Sequence, residues 1–186
     1  AMWGHGRTYC VRQPAPLAAA KMWLTRRADW FFAYTDAGAR HVTANGFPSD
    51  RVTVVTNTID TDALRRDLAS VDPRAVQDMT QRLALTPGRT ALFLGGVDTA
   101  KGIDFLMRAA RRAAGLLPGF VLLVGGAGDQ VPAVEACQAA GGPVRALGRL
   151  DGPHKAVALA TADVLAIPQW VGLVAVDSLV AGRPIV

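Results

Sequence analysis

The second half of this chain repeats one pattern, in which an apolar strand-like segment ends at a glycine or proline and a helical segment follows. The predicted strands are residues 90–94, 120–124, 144–147 and 164–167. The helices predicted after them are residues 101–114, 132–140, 153–160 and 173–181. Strands that alternate with helices of this length form a parallel sheet covered by helices. The predicted fold class is therefore α/β, a doubly wound, Rossmann-like parallel sheet.

The strand of residues 120–124, Phe-Val-Leu-Leu-Val, is apolar throughout. A strand that is covered on both faces is apolar at every position, whereas a half-exposed strand alternates. The helix of residues 101–114 is instead amphipathic, with the apolar Ile103 and Leu106 on one face and the charged Arg108 on the opposite face. Both patterns are expected where helices cover a central parallel sheet.

Residues 1–50 contain too few elements to complete a domain. The elements predicted there are helices at 16–27 and 36–44 and a strand at 30–34. We predict that residues 1–50 are the tail of a preceding domain with a linker, and that residues 51–186 are a second domain. Because the chain starts within predicted structure and stops where Ile185 would begin another strand, it is expected to be a fragment, incomplete at both ends.

Composition and charge exclude several classes of protein. With 51% hydrophobic and 19% charged residues, the chain forms a packed core and is not disordered. Its net charge of +5 favours anionic ligands such as phosphates but is too diffuse to predict binding of nucleic acid. The longest apolar run is strand-sized, well short of the ~20 residues that cross a membrane. His5, His41 and His154 lack metal-ligand spacing, so no metal site is predicted.

The number of cysteines indicates the redox state of the cellular compartment in which the protein is expected. Cys10 and Cys137 cannot form the disulfide framework of a small secreted protein, and a reducing compartment is the simplest interpretation. The N-terminus lacks the basic-then-apolar order of a signal peptide. We therefore expect the protein in the cytoplasm.

Glycines stand at the carboxyl ends of the predicted strands, where ligands bind in open α/β sheets. Gly95 and Gly96 follow one strand, and Gly126 follows the next. Glycine lets the backbone approach a phosphate closely, and the next helix supplies free N–H groups. Lys101 is predicted in the first turn of such a helix, where the dipole disfavours a cation, so we expect it to pair with a phosphate. A solvated lysine is the alternative, and for Gly126 a tight structural turn is an equally good interpretation.

A third element, residues 168–177, joins a strand to a helix. Gly172 would let backbone N–H groups face a diphosphate, and Asp177 would accept hydrogen bonds from a ribose. The alternative for Asp177 is an acid that stabilises the helix N-terminus. Because Val131 stands where the Gly-x-Gly-x-x-Gly fingerprint needs its third glycine, a nicotinamide dinucleotide domain is disfavoured.

With these elements in order, the sequence resembles the retaining glycosyltransferases of the GT-B fold, in the large family 4. Five stretches carry the resemblance: residues 52–60, 91–106, 122–128, 144–149 and 162–186. In that order they are similar to the family's Asn-Gly-Val-Asp element, its Gly-Arg-Leu…Lys-Gly element, its second glycine loop, its Leu-Gly strand end and its Glu-x7-Glu region.

The resemblance implies a nucleotide-sugar donor that is bound as a substrate by the second domain, with no cofactor and no metal. Lys101 would contact the donor diphosphate, Asp177 the ribose, and the backbone of residues 147–149 the base. The acceptor would be a carbohydrate, a lipid or a small molecule. The implied donor-binding residues are Gly95, Gly96, Lys101, Gly126, Leu147, Gly148, Arg149, Gly172, Leu173 and Asp177.

Three residues depart from the family's pattern. Gly96 stands where arginine is usual, Gln169 stands at the first Glu of Glu-x7-Glu, and Asp177 stands at the second. Gln169 and His5, a histidine between glycines, are the candidate catalytic residues, with a turn-capping role as the alternative for His5. The departures keep a second hypothesis open, a catalytically inactive domain that binds a nucleotide sugar or a partner protein. Peripheral contact with the inner face of a membrane is also left open.

Overall fold

The computed structural model describes residues 1–8 and 13–186, and Cys10 lies outside the described residues. The chain forms two compact units, Ala1–Thr58 and Ile59–Val186. Each unit has its own parallel sheet.

The first unit is built on a small parallel sheet. Its elements are β1 (Met2–Gly4), α1 (Ala15–Arg26), β2 (Phe31–Ala33), α2 (Asp36–Ala44) and β3 (Val52–Val54). The strands pair in the order β1-β2-β3. The Thr35 hydroxyl accepts a hydrogen bond from the Gly38 N–H at 3.1 Å and so begins α2, as its sequence predicts. Because β3 pairs with β2, the segment after residue 50 that was predicted to open the second domain belongs to this sheet instead.

The second unit alternates strands and helices after two opening helices. Its helices are α3 (Thr61–Ala69), α4 (Pro73–Arg82), α5 (Ile103–Leu116), α6 (Val131–Ala139), α7 (Gly152–Thr161) and α8 (Val174–Ala181). Its strands are β4 (Thr90–Leu94), β5 (Val121–Gly125), β6 (Val144–Gly148) and β7 (Val164–Leu165). They pair in the order β6-β5-β4-β7, all parallel, and Leu165 forms a further parallel bridge with Ile185. The predicted doubly wound parallel sheet is confirmed.

Alternate residues of the central strands are buried in two different cores. In β4, Phe93 packs in one core with Ile103 of α5, whereas Leu92 packs in the other with Leu159 of α7. These side chains are all at most 1% exposed. A strand buried on both faces has no position for a polar residue, which explains the continuous apolar run of β5.

The order of the strands reverses at β4. Strands β5 and β6 lie on one side of β4, and β7 lies on the other. Such a reversal opens a crevice at the carboxyl ends of two neighbouring strands, where open α/β sheets bind ligands. The loops at this crevice are residues 95–102 and 166–173. A Cβ atom on Gly102 would lie 2.9 Å from Cγ of Gln169, so the two loops are in contact.

Helix α5 begins later than the sequence predicts. Residues Thr99–Lys101 form a 3-10 turn, and Gly102, with φ of 69°, separates this turn from α5. The Asp98 carboxylate starts the turn, because its Oδ1 accepts a hydrogen bond from the Lys101 N–H at 3.0 Å. Lys101 therefore precedes α5 and does not lie in its first turn, where the sequence predicted it.

The glycine loops after β4 and β5 pack directly against each other. The Gly95 N–H donates to the Gly125 carbonyl at 3.1 Å, and the Val97 N–H donates to the Ala127 carbonyl at 2.9 Å. Gly126 has φ of 149°, and a Cβ atom there would lie 1.8 Å from the Gly95 carbonyl oxygen. The contact between the loops therefore requires glycine at position 126, whatever else this position does.

We predict that Gly126→Ala destabilises the protein by about 1–3 kcal/mol, because the added methyl group forces the two loops apart. The measurement is the free energy of unfolding from urea denaturation. Gly115→Ala is the matched control, because Gly115 lies in α5 with no atom within 4 Å of its Cβ position. The control is expected to gain about 0.5–1 kcal/mol, the usual advantage of alanine in a helix. Equal stability of Gly126→Ala and wild type would contradict the packing argument.

Candidate functional site

A cavity of about 420 Å³ lies at the carboxyl end of the second sheet. It is lined by the two glycine loops, the start of α7 and the start of α8. Of the residues predicted to bind a donor, it brings together Gly95, Gly96, Gly126, Arg149 and Asp177. Its other lining residues are Leu94, Gly125, Ala127, Leu150, Lys155 and Val174. The cavity therefore combines close backbone approach with two cations and one acid.

Asp177 is buried and paired. It is 7% exposed, and its Oδ1 lies 2.8 Å from Nζ of Lys155, so α8 and α7 are joined by an ion pair at the cavity. A buried carboxylate is costly without a partner, and the lysine supplies that partner. Oδ2 of Asp177 makes no hydrogen bond within the described part of the chain, which leaves it able to accept one from a ligand in the cavity.

Sequence reasoning missed Lys155. Its signal was the same as the one that drew attention to Lys101, a lysine shortly after a strand and early in the next helix. Because α7 begins at Gly152, Lys155 is in the first turn of a true α-helix, where Lys101 is not. The helix dipole disfavours a cation at this position. The ion pair with the Asp177 carboxylate offsets that unfavourable interaction.

Lys101 lies outside the lining of this cavity and is half-buried. Nearby, the Asp98 carboxylate occupies the space beside Gly96. A Cβ atom on Gly96 would lie 2.6 Å from Oδ2 of Asp98, while Oδ1 holds the Lys101 N–H. The Asp98 carboxylate therefore has two roles. One oxygen fills the space that a side chain at position 96 would need, and the other holds the turn that carries Lys101.

The remaining predicted donor residues do not line this cavity. The Gly148 carbonyl accepts a hydrogen bond from the Gly126 N–H at 2.8 Å, which fixes the end of β6 to the second glycine loop. Gly172 is exposed, and Leu173 immediately precedes α8. Leu147 lies in a neighbouring, larger cavity of about 730 Å³ between α4 and α7.

Arg149 and Leu150 line both cavities. The larger cavity adds Ala75, Asp78, Met79, Gln81, Arg82, Leu147, His154 and Val157. The segment predicted to hold a base, residues 147–149, therefore stands at the junction of the two cavities.

The two candidate catalytic residues lie in different units. His5 belongs to the first unit, where its ring meets Tyr34 edge to face with the ring centroids 5.0 Å apart. Gln169 belongs to the second unit, where it packs on Gly102, and it does not line the cavity.

In residues 1–8 and 13–186, no three or more His, Cys, Asp or Glu side chains are grouped so that they could hold a metal ion. Over the same residues, no helix is both long enough and apolar enough to pass through a bilayer.

Comparison with protein families gives a match to the model described as glycosyl transferases group 1, over residues 88–186. Two phosphatidyl-myo-inositol mannosyltransferases are similar in sequence. The protein from Mycolicibacterium smegmatis is 35% identical over 104 residues, which are 53% of this chain and 27% of that protein. The protein from Mycobacterium leprae is 36% identical over 107 residues, 53% of this chain and 28% of that protein. The chain thus spans little more than a quarter of these relatives.

Solved structures share the fold. Anabaena Alr3699/HepE in complex with UDP-glucose matches with a TM-score of 0.64 and 20% identity, over 90% of this chain and 47% of that chain. WaaG, a glycosyltransferase involved in lipopolysaccharide biosynthesis, matches with a TM-score of 0.61 and 18% identity, over 83% of this chain and 43% of that chain. These likenesses agree with the GT-B type of fold predicted from the sequence.

We predict that Lys155→Met destabilises the protein by about 1–3 kcal/mol, because it leaves the Asp177 carboxylate buried without its cation. Asp177→Asn is expected to cost less, because the Lys155 side chain is 24% exposed and can extend toward water. Unfolding free energies of the two variants and of the double variant measure this asymmetry.

The matched control is Arg65→Met, which breaks the exposed pair with Asp62. Removal of such an exposed pair costs about 0.2–1 kcal/mol at most. A Lys155→Met variant as stable as the control would show that the buried pair does not hold α7 to α8.

Proposed function

The chain belongs to the glycosyl transferases group 1 family, and on this premise we propose that its second unit binds a nucleotide-sugar donor for transfer of the sugar to an acceptor. The observation that carries the proposal is the cavity at the reversal of the sheet. It holds glycine backbone, the cations Arg149 and Lys155, and the acid Asp177 within one space of about 420 Å³.

The proposed chemistry begins with the donor diphosphate. Gly95, Gly96 and Gly126 let the phosphates approach the backbone, and Arg149 and Lys155 neutralise their charge. When the bond from the sugar carbon to the phosphate oxygen breaks, the oxygen of an acceptor hydroxyl forms the new bond to that carbon. Its proton passes to the departing phosphate oxygen, and the nucleoside diphosphate leaves. Fixed cations and N–H groups stabilise the charge that develops on this leaving group. Transfer with retention is part of the proposal, and no resident cofactor or metal is included in it.

We assign the ribose and the base of the donor to neighbouring residues. The free Oδ2 of Asp177 would accept a hydrogen bond from the ribose, while the hydrogen bond from Lys155 to Oδ1 orients this carboxylate. The base would lie against residues 147–149, at the junction of the two cavities. Gly172 and Leu173 would present backbone N–H groups to the diphosphate. Lys101 would reach the diphosphate from the turn held by Asp98.

The acceptor is proposed as a carbohydrate, a lipid or a small molecule, and not as a nucleic acid. The names of the phosphatidyl-myo-inositol mannosyltransferases support a lipid acceptor. Such an acceptor would bring the protein to the inner face of a membrane from the cytoplasm. Gln169 of the second unit and His5 of the first unit remain the proposed catalytic residues.

A second function rests on the departures from the family pattern. With Gln169 in place of a carboxylate and Gly96 in place of arginine, the same cavity would bind a nucleotide sugar, or a partner protein, without transfer. A sugar-transfer assay separates the two functions. Release of nucleoside diphosphate that depends on an acceptor supports the enzyme, and tight donor binding without release supports the inactive domain.

We predict that the chain binds at least one of UDP, GDP and ADP, or a sugar conjugate of one of them, in calorimetric titration. Lys155→Met and Lys101→Ala should each weaken binding about tenfold or more, the usual cost of losing a charged hydrogen-bond donor. Lys21→Ala is the matched control, because Lys21 is exposed on α1 in the first unit. Its affinity should equal that of wild type.

Each result has a distinct meaning. Failure of all six compounds to bind wild type would overturn the proposed function. Loss of affinity in Lys155→Met alone would leave the site in place and remove Lys101 from it. An equal loss in the Lys21→Ala control would show that the effect is one of overall charge and not of this cavity.

We also predict that Gly96→Arg does not strengthen nucleotide binding. The new Cβ would lie 2.6 Å from Oδ2 of Asp98, so the carboxylate has to shift, and this shift strains the hydrogen bond from the Lys101 N–H to Oδ1. The double variant Gly96→Arg with Asp98→Ala removes the collision and should bind nucleotide more tightly than Asp98→Ala alone. Titration and melting temperature are measured together. Tighter binding by Gly96→Arg at an unchanged melting temperature would contradict this account.

A further inference from the structure

We propose that Gln138 is a positioning residue of the donor site, because its side chain holds the outer edge of β6 immediately before the segment assigned to the base. The inference rests on the proposed function and deepens it. It names a residue that lines neither cavity of the second unit but controls how residues 147–149 are presented. Gln138 lies on α6, and its side-chain Oε1 accepts a hydrogen bond from the Ala146 N–H at 2.9 Å.

Strand β6 stands at one end of its sheet. Within residues 1–8 and 13–186 it pairs with β5 and with no further strand. The Leu122 N–H of β5 donates to the Pro143 carbonyl at 2.9 Å, so the carbonyl of residue 143 points toward β5. Because successive residues of a strand point their backbone groups to opposite sides, those of Val144 and Ala146 point away from the sheet. An edge strand leaves such groups to water unless something else covers them.

Two side chains cover this edge in place of a neighbouring strand. Gln138 accepts the hydrogen bond of the Ala146 N–H. The Arg145 guanidinium donates to the Val144 carbonyl at 2.8 Å and to the Gly142 carbonyl at 3.1 Å. Both outward-facing residues of β6 are therefore hydrogen-bonded. Of the two contacts, the one from Gln138 adjoins the site, because residue 147 follows Ala146 directly.

The pairing of β6 with β5 shifts by one residue directly after Ala146. Ala146 pairs with Val124 of β5. The next residue of β5, Gly125, pairs with Gly148. Leu147 is therefore an extra residue in β6, which makes a β-bulge. A bulge bends its strand and redirects the side chains that follow, and bulges are frequent next to active sites.

This bulge lies inside the segment assigned to the base. Leu147 lines the larger cavity, and Arg149 lines both cavities. After the bulge, the Gly148 carbonyl accepts a hydrogen bond from the Gly126 N–H at 2.8 Å. Before the bulge, the hydrogen bond to Gln138 holds the strand. Because a bulged residue is unpaired in the ladder, the hydrogen bonds on its two sides determine its conformation. Gln138 thus holds residues 147–149 in the conformation that would meet a base.

Two substitutions at this position separate the hydrogen bond from the bulk of the side chain. Gln138→Met has a similar size and lacks the acceptor oxygen, whereas Gln138→Glu keeps an acceptor oxygen. Gln77→Met is the matched control, because Gln77 is exposed on α4 and lines neither cavity. Each protein is titrated by calorimetry with UDP, GDP and ADP, with their sugar conjugates, and with inorganic pyrophosphate, which lacks a base. Exchange of the Ala146 amide hydrogen, followed by NMR, reports on the contact itself.

In Gln138→Met we expect affinity for the nucleotides that bind wild type to fall about three- to tenfold, the usual effect of one hydrogen bond. Pyrophosphate should stay within about twofold of its wild-type affinity, a margin set by the error of such titrations, because the glycine loops and Lys155 lie on other segments. The Ala146 amide should exchange about three- to tenfold faster. Gln138→Glu should restore both properties, and Gln77→Met should match wild type.

Several results would overturn this inference and leave the proposed function in place. One is a Gln138→Met variant whose nucleotide affinity or Ala146 exchange equals that of wild type. Another is an equal loss for pyrophosphate or in the Gln77→Met control, which indicates a general effect on the fold. A third is a Gln138→Glu variant as weak as Gln138→Met, since the acceptor oxygen is then not responsible. If wild type binds no nucleotide at all, the proposed function fails together with this inference, so the two failures are distinguishable.

Discussion

The close approach of two backbones at the carboxyl edge of the second sheet is the constraint on which the site depends. Gly126 comes so near the Gly95 carbonyl that no side chain fits between them, and the hydrogen bonds between the loops continue the pairing of β4 with β5 beyond the strand ends. The edge is therefore a rigid extension of the sheet. A rigid edge holds its N–H groups in place before a ligand arrives, which is what electrostatic stabilisation of a leaving group requires.

Helix α7 places a charged residue, Lys155, at this edge of the sheet. Lys155 would be misplaced early in a helix if it faced only the dipole, and Asp177 would be misplaced in a buried position if it stood alone. Together at 2.8 Å they remove both costs and tie α7 to α8 across the strand reversal. Glycine and not arginine stands at position 96 of this glycosyl transferases group 1 domain. The cavity is instead lined by the basic side chain of Lys155, which is paired with Asp177.

The sequence predicts the sheet well and the site only in part, for a physical reason. A strand that is buried on both faces is a continuous apolar run, which can be recognised in the sequence, and the glycines mark the strand ends. Contacts between distant segments leave no such pattern. The pairing of Lys155 with Asp177 joins residues 22 positions apart. The 3-10 turn before α5 depends on one Asp98 carboxylate, and the pairing of β3 with the first sheet is set by tertiary contacts.

The distribution of charge around the crevice explains how the departures from the family pattern fit together. Cations and the acid stand on the β6–α7 and α8 walls, while residues 166–173 between β7 and α8 are uncharged. A glutamate at position 169 would place a carboxylate on that neutral wall, against Gly102 and close to Lys101. Glutamine keeps the hydrogen-bonding capacity and removes the charge. With the neighbouring Trp170 also exposed, this wall presents apolar and neutral polar groups rather than charge.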